Sequence, residues 1–168
     1  SVLLSESVKS GGKADITIIS SGSRQVVEKD GTAIGSNISA GGSLIVYTGG
    51  IAHGVNQETG SALVANTGAG TDIEGYNKLS HFTITGGEAN YVVLENTGEL
   101  TVVAKTSAKN TTIDTGGKLI VQKEAKTDST RLNNGSVLEV QDGGEAKHVE
   151  QQSGGALIAS TTSGTLIE

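Results

Sequence analysis

Glu95 and Asp114 stand one 19-residue unit apart. In a chain coiled at that period their carboxyl groups would lie on neighbouring turns. That is within the roughly 5–10 Å over which two carboxylates share acid and base work on a glycosidic bond. The same place in other units is held by Glu58, Asn77, Asn133 and Gln152, with Ser20 and Ser39 earlier. Such a column suits a catalytic pair or cation site in a polysaccharide-acting enzyme. It equally suits a polar ladder at a corner, where amides and carboxylates satisfy one another. The ladder is the simpler reading. Asp15, Asp72 and Asp128 share another column but fall three turns apart, roughly 14 Å at the strand spacing and too far for joint work.

Other reactive constellations are thinner. His53, His81 and His148 occupy unrelated places in their units, and the chain has no Cys, so a zinc site is not expected. No His recurs beside a Ser or Thr at fixed spacing, which leaves no nucleophile with a base. Gly68-Ala69-Gly70-Thr71-Asp72 occurs once, whereas a calcium-binding roll needs tandem copies. Asn110-Thr111-Thr112 fits a glycosylation sequon, a short pattern that matters only in a eukaryotic secretory route. No catalytic residue, metal or cofactor is therefore expected.

The elements that would position these residues are set by the repeat. Ala108, Thr111, Ile113, Gly116, Leu119 and Val121 are followed, one period later in each case, by Thr127, Thr130, Leu132, Gly135, Leu138 and Val140. Units open at Ala14, Ala33, Ala52, Thr71, Ala89, Ala108, Thr127, Ala146 and Thr165. The step between them is constant except from Thr71 to Ala89, which falls one residue short. Each unit carries two short alternating runs, and alternation marks strands. The second run puts Gln25, Leu44, Leu63, Phe82, Leu100, Leu119, Leu138 and Leu157 in one column. Val27, Val46, Ala65, Ile84, Val102, Val121, Val140 and Ala159 follow two residues on. A spacing of two turns both columns to one face. Gly22, Gly41, Gly60, Gly116, Gly135 and Gly154 fall between the runs, where a corner needs backbone freedom.

A coil that returns in one direction once per unit is a parallel β-helix. Right-handed coiling is the default for parallel crossovers. The expected fold is all-β, a right-handed parallel β-helix of about eight 19-residue rungs, with residues 1–13 and 165–168 as partial rungs. Ragged ends suggest that 1–168 is a single segment of a longer array. The fourth unit lacks the central Gly, carries Gly75-Tyr76-Asn77-Lys78 instead, and puts Phe82 in a Leu slot. A modified corner around one larger core residue is expected there.

Between the two inward columns an outward one reads Val26, Ile45, Val64, Thr83, Thr101, Ile120, Glu139 and Ile158. Its apolar members, Val26, Ile45, Val64, Ile120 and Ile158, form a candidate contact stripe. The remaining inventory excludes partners. A net charge of −6 without a basic cluster argues against nucleic acid. No apolar run is long enough to insert in a membrane, and Ser1-Val2-Leu3-Leu4 is no signal peptide. Four aromatic residues in the whole chain argue against a sugar-gripping cleft.

The units Ser10-Gly11-Gly12-Lys13-Ala14, Gly41-Gly42-Ser43-Leu44-Ile45-Val46-Tyr47-Thr48-Gly49-Gly50-Ile51-Ala52 and Ala108 to Gly117 resemble passenger repeats of self-associating autotransporters, the AIDA, TibA and antigen 43 type. Val92-Val93-Leu94-Glu95-Asn96-Thr97-Gly98 is similar to the same passengers, and the likeness extends over essentially the whole chain. The resemblance implies a non-enzymatic adhesin on the bacterial surface, secreted through an outer-membrane barrel absent here. It implies homotypic association between cells, autoaggregation, biofilm formation and attachment to host cells. Some members carry heptose on corner serines, which would make a heptosyltransferase a partner and Ser10, Ser21 and Ser153 the matching acceptors. A purely structural spacer within a longer adhesin is the other non-enzymatic reading.

Overall fold

The computed structural model describes residues 4–168; the first three residues of the N-terminal partial rung and of the Ser1–Leu4 stretch lie outside it. The described chain is all-β and gathers into two sheets, one of eight strands and one of thirteen. Strands one unit apart pair in parallel. Leu100 lies beside Leu119, Leu119 beside Leu138 and Leu138 beside Leu157, with the valines two residues on in step. Leu44, Leu63, Leu100, Leu119 and Leu138 are fully buried in the resulting stack. Each such side chain contributes about 1.5–3 kcal/mol relative to exposure. No single turn could shelter its own inner face, so the stacking of neighbours supplies this term.

The ends contribute more than expected. Ser5–Val8 pairs with Arg24–Val27, and Leu166–Ile167 pairs with Glu145–Gln151. The solenoid thus has about nine turns, where eight were expected. Gln25 occupies a leucine slot at the N-terminal end and is fully buried. Its amide donates to Glu6 and Thr17 and its carbonyl accepts from Ser36, so the polar group is satisfied inside the stack.

The first run of seven units bends two residues after its opening, the units that open at Thr71 and Thr165 being the exceptions. Ile16, Tyr91, Asn110, Ser129 and His148 all have φ between 53° and 60° there, and Gly35 and Gly54 hold the same place. A left-handed residue costs a non-glycine roughly 1–2 kcal/mol. Its recurrence on successive turns shows that the bend belongs to the coil. The bend leaves Ile16 81% exposed and Tyr91 48% exposed.

The fourth unit corrects the expectation. Phe82 and Ile84 do not enter the leucine and valine columns of the eight-stranded sheet. Instead Asp72–Tyr76 turns back into His81–Thr85, which turns again into Glu88–Asn90, both pairings antiparallel within the larger sheet. Phe82 stays buried, opposite Gly75. In the eight-stranded sheet Ala62–Asn66 pairs directly with Glu99–Val102, and Leu100 lies beside Ala65 rather than Leu63. That slip of two residues keeps both inward columns inward, because side chains alternate with period two.

The turn leading into the hairpin is two residues longer than the period allows. Ala52 pairs with Ile73, not with Thr71. Ala146 likewise pairs with Ile167 rather than Thr165. In both places the displaced threonine closes the gap. Thr71 Oγ1 accepts from Gly49 N–H at 3.0 Å, and Thr165 Oγ1 accepts from Gly143 N–H at 2.9 Å. Elsewhere this corner is closed by backbone carbonyls, as in Asp30 N–H to the Gly49 carbonyl.

Candidate functional site

The polar column is brought together only in part. Asp114 Oδ1 accepts from Asn133 Nδ2 at 2.7 Å. Glu58 accepts from Asn37. Gln152 is exposed, and its backbone N–H donates to the Leu132 carbonyl. Asn77 has left the column for the hairpin loop. Its Oδ1 accepts from the Leu79 and Ser80 N–H groups, and its Nδ2 donates to the Tyr91 carbonyl at 2.8 Å.

At the centre is a cation that spacing alone does not single out. Lys78 Nζ lies 2.5 Å from Asp114 Oδ2 and 3.5 Å from both carboxylate oxygens of Glu95. Glu95 is buried. Burial pushes the Asp114 carboxyl up, but hydrogen bonds from Lys78 and Asn133 and the nearby positive charges outweigh it and hold it below the usual range. Burial likewise works against the Lys78 ammonium, yet Asp114 and Glu95 raise it above its ordinary value. A general acid needs its proton held near neutral pH. Asp114 is pushed the other way, and a lysine stands between the pair. This geometry fastens; it does not poise a proton. The available signal for Lys78 was the break in the repeat itself, because the loop that loses the corner glycine carries one cation.

Two amides close the gap left by the diverted unit. Gln57 Nε2 donates to the Val93 carbonyl at 3.0 Å, and Asn96 Nδ2 to the Gly60 carbonyl at 2.7 Å.

Each histidine meets a carboxylate. His81 Nε2 lies 2.7 Å from Glu74 Oε2, and His148 Nδ1 lies 3.0 Å from Asp128 Oδ1. His53 Nε2 comes within 2.9 Å of Asp72 Oδ2 without hydrogen-bond alignment. The Glu74 carboxyl is held below its ordinary value by the Gly54 N–H and then by His81. Ser129 Oγ bonds Asp128 rather than His148, so this trio lacks the hydroxyl-to-imidazole link that would activate a nucleophile. Among the described residues no group of three or more His, Asp or Glu could hold a metal ion.

The outward stripe is continuous over three strands and then displaced. Val26 lies beside Ile45 and Ile45 beside Val64. Across the slip Val64 meets Glu99, while Thr101, Ile120, Glu139 and Ile158 continue one row over. Glu139 is tied to Lys118 at 3.3 Å. Thr83 belongs to the hairpin and not to this face. Ser10, Ser21 and Ser153 are all exposed at corners, each followed by a left-handed glycine.

A family model described as "Adhesin of bacterial autotransporter system, probable stalk" matches residues 7–61 and 74–136. Its interruption covers the lengthened turn that precedes the hairpin. A protein named "Probable autotransporter YpjA", from Escherichia coli strain K12, is 96% identical over 146 residues. That is 87% of this chain and 10% of the relative, so the chain spans about a tenth of its length. Among solved structures, a TibA fragment hyper-glycosylated by TibC is similar at 27% identity and a TM-score of 0.43, over 98% of this chain and 73% of its own. Autotransporters of this kind are surface-exposed and associated with the outer membrane. Among the described residues no helix is long and apolar enough to cross a membrane.

Proposed function

The chain belongs to the family of bacterial autotransporter adhesin stalks, and from that premise we propose that it is a segment of a longer passenger, displayed on the cell by a translocator barrel outside this chain. In this reading the solenoid coils to the right and does no chemistry. It associates laterally with copies of itself between cells, giving autoaggregation and biofilm, and it attaches to host cells. Heptosylation of Ser10, Ser21 and Ser153 by a heptosyltransferase belongs to the same reading, and their exposure at corners supports it.

The observation that carries the proposal is the run of Val26, Ile45 and Val64 on adjacent strands, all outward and half-buried. A repeated shallow surface gains strength by multivalency, not by one deep pocket. Cells displaying the whole passenger with Val26→Lys, Ile45→Lys and Val64→Lys should settle more slowly than cells with the native passenger. Equal settling at equal display would remove this face from the interaction.

The spacer reading is favoured by the family's own description as a stalk and by the break in the stripe at Glu99. Exchange of these turns for unrelated turns of equal length separates the two. Intact adhesion after the exchange supports the spacer.

A further inference from the structure

Beside the hairpin the outer surface is concave. Tyr91, Asn110 and Ser129 stand on successive turns at the left-handed bend, and Thr112 and Arg131 lie two residues beyond the latter two. A groove runs along these turns. Its first section, of 440 Å³, is open to solvent and bordered by Leu79 and Ser80 of the hairpin loop. A second section, of 380 Å³, continues from Ser129 and Arg131 to His148 and Glu150. The loop wall is held in place by Lys78 on Asp114 and by Asn77 on the Tyr91 carbonyl.

Four aromatics are too few for a cleft of stacked rings, but the geometry points to a shallow binding site for a neutral glycan laid along the groove, with a pyranose face against the single ring of Tyr91. Tyr91 and Leu79 are 48% and 62% exposed; Tyr47 and Tyr76 are exposed too, but of the tyrosines only Tyr91 lines this groove. Around them stand groups that donate and accept: Ser80, Asn110, Thr112, Ser129 and Arg131. A sugar offers an apolar C–H face ringed by hydroxyls, and an apolar wall with a few placed polar groups is the matching surface. Arg131 is already neutralised by Glu150 at 3.3 Å, which favours an uncharged sugar over an acidic one. The turns repeat at about 4.8 Å, close to the advance per residue of an extended β-linked hexose chain. An extended peptide fits less well. It would need a free strand edge for backbone pairing, and Ser107–Ile113 and Lys126–Leu132 are paired on both sides.

This assignment deepens the attachment part of the proposed function and rests on it for its biological setting, but binding is read on the isolated chain. Cellotetraose and chitotetraose serve as probes, in ligand-observed saturation-transfer NMR and titration. Transfer to at least one tetramer is expected. Tyr91→Asn tolerates the left-handed backbone and removes the ring, and should weaken binding about tenfold. Tyr91→Phe should stay within about twofold, and Leu79→Ser, on the exposed loop, should weaken it measurably without touching the core. The proposal is overturned if neither tetramer shows transfer, if Tyr91→Asn and Leu79→Ser both bind like the native chain, or if an acidic hyaluronan tetramer binds more tightly than both probes. None of these results alters the settling experiment, which tests the apolar face of the other sheet.

Discussion

Lys78 Nζ and Asp114 Oδ2, 2.5 Å apart, join a hairpin that leaves the solenoid to a corner that remains in it. The lysine side chain is 27% exposed and Asp114 20%, so the contact is sheltered from much of the solvent. Glu95 shares the same cation from the turn between them.

Lys78→Met should leave two partly buried carboxylates facing each other. A loss of about 1–2 kcal/mol is expected from charged hydrogen bonds in such a setting. Urea unfolding followed by circular dichroism checks the magnitude. Lys78→Arg should retain most of the stability. Native stability in the methionine variant would show that the hairpin is held by packing alone.

Acid should loosen the hairpin before the N-terminal turns. Asp114 and Glu74 are held below their ordinary values of 3.8 and 4.5 in the fold. Each therefore contributes stability above its ordinary value and loses it as pH falls through the lowered one. Lys78 works in the opposite sense. Its contribution is complete below 10.5 and is lost only as pH rises through its raised value. Amide exchange over residues 72–90, measured from pH 6 down to about 3, should accelerate before exchange over residues 24–46, which lie away from Glu74, Asp114, Asp128 and Glu139, carboxyls held low. Uniform acceleration would contradict this account.

Thr71→Val should cost about 1 kcal/mol, because the buried Gly49 N–H loses its acceptor while the volume is kept. Thr71→Ser should restore most of it. Thr165→Val should repeat the pattern at Gly143. Thermal unfolding of the four proteins decides the point, and a neutral Thr71→Val would mean that another group takes the amide.

Gly117→Ala should be worse than Gly11→Ala, although Gly11 is the one with a left-handed backbone. A methyl on Gly117 would run into the Leu94 carbonyl of the preceding turn, which is backbone and cannot swing aside. A methyl on Gly11 meets nothing within 4 Å and suffers only the conformational cost of φ 76°. That cost is roughly 1–2 kcal/mol. Paired denaturation curves test the order, and equal losses would refute the clash.

The coil was legible because inward positions stack like on like. Leucines one period apart are neighbours, and their spacing is visible without coordinates. The hairpin was not, because Ile73 and Gly75, or Phe82 and Ile84, alternate identically in a parallel or an antiparallel strand. Counting residues assigned them to a missing turn, and only the lost glycine and the single short step hinted otherwise. The left-handed column was hidden for a different reason. Tyr91, Asn110, Ser129 and His148 share a backbone conformation but no residue type, so composition could not announce it. The groove is built on that column.

The two-residue slip between Ala65 and Leu100 limits how such a protein can lengthen or shorten in evolution. Gain or loss of whole coils, or of residue pairs within a strand, leaves oily side chains indoors. A deletion of one residue would turn every later side chain of that strand inside out, so unequal crossing-over between repeats should be tolerated far more often than single-codon loss.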